Sequence, residues 1–271
     1  MNEPALSLHF GDVHLSTGVR LRYAETGDPA AHPLILLHGY SDSWFSWSRV
    51  LPALATGFHI YALDQRGHGD SDRPEQGYRM ADFAADTLAF MDALDLPRAT
   101  LVGHSMGTLV ALQAALMAPE RVARLVLIGA AASARTAAVL ELEPVIAALE
   151  DPVPAAFVRE FQASTAYQPL PAACLDWSVV ASLRLPARVW KTVAAGLLAA
   201  DYTGALGQIR APALILWGER DTVFPRATQD ALLAGLPHPR LKVYPETGHA
   251  PHWERPAEVV QDVYAFLQEE V

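Results

Sequence analysis

Six short runs along the chain are almost wholly apolar, and each ends in a glycine or a polar turn. They are PLILLHG from Pro33, FHIYALDQRG from Phe58, ATLVGHS from Ala99, RLVLIGA from Arg124, ALILWGERD from Ala213 and RLKVYPETGH from Arg240. Apolar runs of this length without alternation predict strands buried on both faces, as in a parallel sheet. Helical patterns lie between them, among them MADFAADTLAFMDALDL and PAEVVQDVYAFLQEE. The opening stretch LHFGDVHLSTGVRLRYAETGD alternates and carries turn signals, which predicts an antiparallel hairpin at the sheet edge. Strands alternating with helices predict an α/β fold with a doubly wound, mostly parallel sheet of eight strands.

One interval breaks this rhythm. From Ala130 to about Arg210 no strand pattern occurs, and proline stands at 144, 152, 154, 169, 171 and 186. A crossover needs only a dozen or so residues, and structureless loops this long are uncommon. The interval therefore predicts several short helices forming a cap (lid) over residues 131–210, inserted after the sixth strand, with 1–130 and 211–271 as the core. Ligands of open α/β sheets sit at the carboxyl ends of the strands, and the insertion leaves from such an end.

Composition narrows the class. The 271 residues are 51% hydrophobic, enough for a sizeable core, and the net charge is −10. That balance argues against nucleic acid as a partner. No apolar run approaches the roughly 18 residues of a membrane span. The first residues lack the basic start and long apolar run of a secretory signal, and Cys174 is the only cysteine. Together these features lead to the expectation of a cytoplasmic protein.

The chemistry centres on Gly-His-Ser-Met-Gly at 103–107. The run ATLVGH reads as a strand and MGTLVALQAALMA as a helix, so Ser105 falls on the turn between them. So sharp a turn strains its central residue and leaves no room for side chains two positions either side, where Gly103 and Gly107 stand. A serine hydroxyl needs a base in reach, and the base needs an acid to orient it. In chain order the acid and then the base should follow this serine. Only His238, His249 and His252 come after it. His238 sits in a polar loop, whereas His249 follows the last strand in a glycine-bearing loop and is the expected base. His252 completes an H-x-x-H pair, but a metal would need Glu246 or Glu254 as well, so a packing role is expected and no metal. Asp221, just past the strand ALILWG, is the expected acid, with Glu219 as the alternative.

In combination, G-x-S-x-G, then G-x-x-D-x-x-x-P, then G-H-x-P-H-x-E resemble the α/β-hydrolase family over essentially the whole chain. LLHGYSDSWFSW resembles that family's oxyanion loop, and DQRGHGDSDRP its turn after the fourth strand. The resemblance implies an oxyanion hole built from the backbone N–H groups of Tyr40 and Met106. It leaves Asp64, Arg66, Gly67 and Gly69 to brace a turn. Epoxide hydrolases and haloalkane dehalogenases of the family use an aspartate nucleophile where this chain has Ser105. The oxyanion loop lacks the H-G-x-P, H-G-G-G and G-G-P-G patterns of other branches. The resemblance therefore implies a serine esterase without cofactor, acting on a small-molecule ester, with lactone, amide or perhydrolase (haloperoxidase) chemistry as alternatives on the same residues. A hydrolase-fold protein that only binds a ligand is the alternative of another class. Trp44, Phe161, Trp177 and Trp190 are expected along the substrate pocket. Between Val153 and Leu183 the only charges are Arg159, Glu160 and Asp176, which predicts a largely apolar substrate of small to medium size. Oligomeric state is not legible.

Overall fold

The computed structural model describes residues 7–269. Eight strands form one sheet: β1 (His9–His14), β2 (Arg20–Thr26), β3 (Pro33–Leu37), β4 (His59–Leu63), β5 (Ala99–His104), β6 (Val122–Ile128), β7 (Ala213–Gly218) and β8 (Pro239–Tyr244). Their order across the sheet is β1-β2-β4-β3-β5-β6-β7-β8. Only the pairings of β2, with β1 and with β4, are antiparallel. The opening hairpin therefore lies at one edge, as its alternation predicts.

Helices cover both faces. They are α1 (Leu51–Leu54), α2 (Met80–Ala93), α3 (Met106–Met117), α4 (Ala137–Ala147), α5 (Ala155–Ser164), α6 (Ala172–Leu183), α7 (Ala187–Ala199), α8 (Arg226–Gly235), α9 (Pro251–Glu254) and α10 (Pro256–Leu267). The pleat sends alternate residues of each central strand to opposite faces. Ile35, Leu37, Leu101, Leu127 and Ile215 join one apolar cluster with Phe83 and Phe90 of α2, Leu109 and Leu112 of α3 and Leu232 of α8. Leu34, Leu36, Val102, Val126 and Leu216 join the other with Leu51 and Leu54 of α1 and Val259, Val263 and Phe266 of α10. Having helices on both sides is what makes the central strands continuously apolar. β8 departs from that expectation. It alternates exposed and part-buried residues because it closes the sheet at the far edge and has one neighbour only.

Four helices, α4 to α7, fill the chain between β6 and β7. Three of the six prolines stand at helix starts, Pro154, Pro171 and Pro186 being the N-cap residues of α5, α6 and α7, whereas Pro144 lies inside α4. Proline suits a helix start because the missing N–H has no partner there anyway.

The parallel strands β3 to β8 point their carboxyl ends to one edge of the sheet. The loops that leave those ends carry Tyr40, Ser105, Asp221 and His249, and α4 to α7 leave from the end of β6. This common direction gathers residues far apart in sequence.

Candidate active site

Ser105 occupies the turn between β5 and α3 with φ 50° and ψ −116°, in a region that non-glycine residues rarely adopt. The two flanking glycines are needed for backbone clearance. A Cβ on Gly103 would stand 2.4 Å from the carbonyl oxygen of Gly107, and one on Gly107 would stand 2.0 Å from that of Leu37 in β3. The turn is thus clamped against itself and against the neighbouring strand. Met106 is the first residue of α3, and its side chain is buried.

Asp221 lies in the turn that follows β7. Its Oδ1 accepts the N–H groups of Val223 (2.8 Å) and Phe224 (2.9 Å), which leaves Oδ2 aimed at His249 Nδ1, 2.8 Å away. Both side chains are buried. The alternative acid, Glu219, is exposed to solvent. His249 follows β8; its N–H donates to Thr165 O (2.9 Å), and its ring packs edge-on against Phe224. The Nε2 atom is buried and has no hydrogen-bond partner. Gly129, at the end of β6 with φ +54°, makes room for this loop, since a Cβ there would stand 2.5 Å from His249 O.

Ser105 and His249 border one cavity of about 280 Å³. No hydrogen bond joins them in this structure, so the cavity is bounded by a nucleophile candidate and a base candidate that share its wall. Gly39 and Tyr40 border it too, with Leu142, Ile146, Phe161, Leu175 and Leu197 from α4 to α7. No lysine or arginine lines it.

The pocket wall differs from the sequence expectation. Phe161 is on it, but Trp44, Trp177 and Trp190 are not. Leu175 and Ser178, three apart on α6, face the cavity, whereas Trp177 turns outward and stacks on Phe45 at 4.3 Å, with Trp44 beside it. Trp190 is fully buried one layer behind the wall, against Tyr40, Phe157 and Phe161. Trp253, three residues beyond Ala250, takes a place on the wall that the sequence did not suggest.

The loop after β3 is held from several sides. The Tyr40 hydroxyl donates to Trp190 O (2.6 Å). His38 Nε2 accepts from Gln65 N–H (3.1 Å), with Nδ1 2.7 Å from Gly39 O. His68 Nε2 accepts from Ser41 N–H (3.3 Å), with Nδ1 2.9 Å from Arg66 O. Each ring uses one nitrogen as donor and one as acceptor, which requires the neutral form. Burial pushes both histidines down, His68 to about 4. The neighbouring turn is braced as the resemblance implied. Asp64 accepts from Trp44 N–H and Asp70 N–H, both at 2.8 Å, and Arg66 forms a buried two-pronged pair with Asp86. Gly67 and Gly69 hold positive φ there.

His252 is buried, with Nε2 3.2 Å from the Ser46 hydroxyl and its ring 4.4 Å from that of His104. Burial drives it down to about 3. Among the described residues no group of three or more His, Cys, Asp or Glu is placed to hold a metal ion. None of their helices is long and apolar enough to cross a membrane. His59 is buried in β4 and bonded to Glu25 (2.8 Å).

The chain is similar to several known proteins. Epoxide hydrolase A of Mycobacterium tuberculosis is 42% identical over 111 residues, which is 40% of this chain and 34% of that protein. The match thus spans about a third of that relative's length. A protein of Pseudomonas putida named as the dihydrolipoyllysine-residue acetyltransferase component of an acetoin cleaving system is 31% identical over 93% of this chain and 67% of its own. The crystal structure of an esterase from Rhodococcus sp. matches with a TM-score of 0.84 at 27% identity, covering 96% of this chain and 98% of that one. A family model described as the alpha/beta hydrolase fold matches residues 32–256. The chain belongs to the α/β-hydrolase family, whose model covers most of its length.

Proposed function

We propose that the protein is a serine hydrolase that cleaves carboxylic esters of small to medium, largely apolar substrates. The observation that carries this reading is the buried Asp221–His249 hydrogen bond, with His249 Nε2 left unpartnered beside the cavity that Ser105 also borders. Ser105 stands where the family's epoxide hydrolases have an aspartate, and the similarity to an esterase points the same way.

In this mechanism Ser105 Oγ attacks the ester carbonyl while His249 Nε2 takes its proton. Asp221 Oδ2 holds the Nδ1–H tautomer and stabilises the imidazolium that forms. The carbonyl oxygen becomes an oxyanion, held by the N–H groups of Tyr40 and Met106. Neither N–H donates to a backbone or side-chain acceptor among the described residues, and the second lies at the start of α3, where the helix dipole favours negative charge. Losing one such donor costs roughly 3 kcal/mol of barrier. His249 then protonates the leaving alcohol, and water frees the acid by the same steps in reverse. Helices α4 to α7 act as the cap over the acyl group.

The test is covalent labelling with a fluorophosphonate, paired with hydrolysis of 4-nitrophenyl butanoate. Ser105→Ala should fold, lose the label and lose about 10⁴-fold or more in kcat. Undiminished turnover by that variant would refute the mechanism.

A further inference from the structure

The cavity is largely apolar on its α4 to α7 side, where Glu143, Gln162, Ser164 and Ser178 are the polar exceptions, and elsewhere on its wall stands a buried carboxylate with no cation. Asp42 is 7% exposed and lines the same cavity as Ser105 and His249. Its Oδ1 accepts from Ser43 N–H (2.9 Å), and the Ser46 hydroxyl stands by it. A carboxylate offers about four acceptor sites, so two donors leave it under-satisfied. The one charge that bears on it is Asp64, of the same sign. Burying a carboxylate without a countercharge is costly.

Asp42 is also linked through its backbone to a residue beside the nucleophile. Its N–H bonds to Gly39 O (3.3 Å), closing a tight turn. Gly39 in turn lies close beside the nucleophile, for a Cβ built on it would stand 3.3 Å from Ser105 Cβ. Gly39, Asp42 and Ser105 line one cavity, so a group bonded to Asp42 would share that cavity with a carbonyl held at Ser105. Glu143, at the exposed rim, adds a second negative side chain and no positive one opposes it.

We infer that Asp42 is a specificity residue that accepts a hydrogen bond from a donor group, an ammonium or a hydroxyl, carried by the substrate near its ester. This rests on the ester-hydrolase reading above and narrows it: the substrate is apolar along the cap and bears one donor near the carbonyl. The donor sits on the acyl side or on the alcohol side, and the substrates below separate the two.

A hydroxyl on the acyl side is tested with ethyl 3-hydroxybutanoate against ethyl butanoate. A cation on the alcohol side is tested with 2-(dimethylamino)ethyl butanoate against its uncharged isostere 3-methylbutyl butanoate. Hydrolysis is followed by pH-stat at pH 7.5, and each pair is read as a ratio of kcat/KM. The wild type should favour the donor ester in at least one pair. In Asp42→Asn that ratio should fall by about tenfold or more, as expected when a hydrogen bond to a charged group is lost. If Asp42 only braced its loop, both members of a pair would fall together and the ratio would hold, which overturns the inference. Should the variant fail to fold, the wild-type ratios decide alone, and values at or below one in both pairs overturn it. A wild type inert towards all four esters refutes the ester-hydrolase reading itself, and the inference falls with it.

Discussion

His249 Nδ1 and Asp221 Oδ2 are 2.8 Å apart, both buried, although 28 residues separate them in the chain. The other Asp221 oxygen is committed to the N–H groups of Val223 and Phe224, so the carboxylate has one orientation. Asp221→Asn can keep Oδ1 on those two donors and then presents an amide N–H to His249. The ring must turn to the Nε2–H tautomer, which cannot take a proton from Ser105. A loss of about 10⁴-fold in kcat is expected with the fold retained, measured by ester turnover and circular dichroism. Glu219→Gln, at an exposed site, should stay within a few-fold of wild type. The reverse pattern would assign the acid to Glu219.

Stability should fall in mild acid. His38, His68, His104 and His252 are buried and held below their ordinary range, His68 to about 4 and His252 to about 3. Unfolded, each titrates near about 6.5. Between the two values the unfolded chain binds the proton and the folded chain does not, so unfolding becomes easier as pH drops. The slope is at most about 1.4 kcal/mol per pH unit for each histidine, fading below about pH 4 for His68 and about pH 3 for His252. Asp42 opposes this in part. Burial raises it to about 6, so the folded form takes up a proton first between about 6 and 4. Burial raises Asp64 and Glu254 in the same sense and lowers His32 with the other four, and with five histidines against three carboxyls the net effect is a falling Tm from pH 6.5 to 4.5. Differential scanning calorimetry over that range checks it, and a flat Tm would contradict the neutral packing of these rings.

Gly107→Ala should be far more damaging than its size suggests. The new methyl would stand 2.0 Å from Leu37 O and 2.9 Å from His38 O, both backbone atoms, so α3 and β3 would have to part. Overpacking of this kind costs roughly 1–3 kcal/mol. Gly204→Ala, with nothing within 4 Å of the added carbon, should change stability by no more than about 0.5 kcal/mol. Urea unfolding of the two variants gives the comparison.

Acyl-chain preference should peak at short or middle length. The cavity of about 280 Å³ is at the lower edge of small-molecule pockets, which run from about 300 Å³. Each buried methylene contributes roughly 0.8 kcal/mol, up to a few-fold in kcat/KM, until the space is filled. Ile146→Ala removes wall volume and should move the maximum to longer chains. A series of 4-nitrophenyl esters from acetate to palmitate measures both. A steady rise to palmitate, or a preference for anionic acyl groups, would show that the cap has been misread.

The sequence alone determined the central strands, the opening hairpin, the helical interval after β6 and the positions of Ser105, Asp221 and His249. These are local signals: apolar period, glycine at a sharp turn, and an order of residue types along one chain. Tertiary structure decided what those residues meet. It placed Gly107 against Leu37, set His38 and His68 behind the loop after β3, and made β8 an edge strand. It also turned Trp177 to the surface with a half-buried Trp44 beside it, put Trp190 behind the wall, and brought Trp253 and Asp42 onto it. An aromatic residue in the sequence signals only that it will be buried or stacked. Which side of its helix faces a cavity depends on how separate helices dock on the sheet, and that is fixed by packing among residues a hundred or more positions apart.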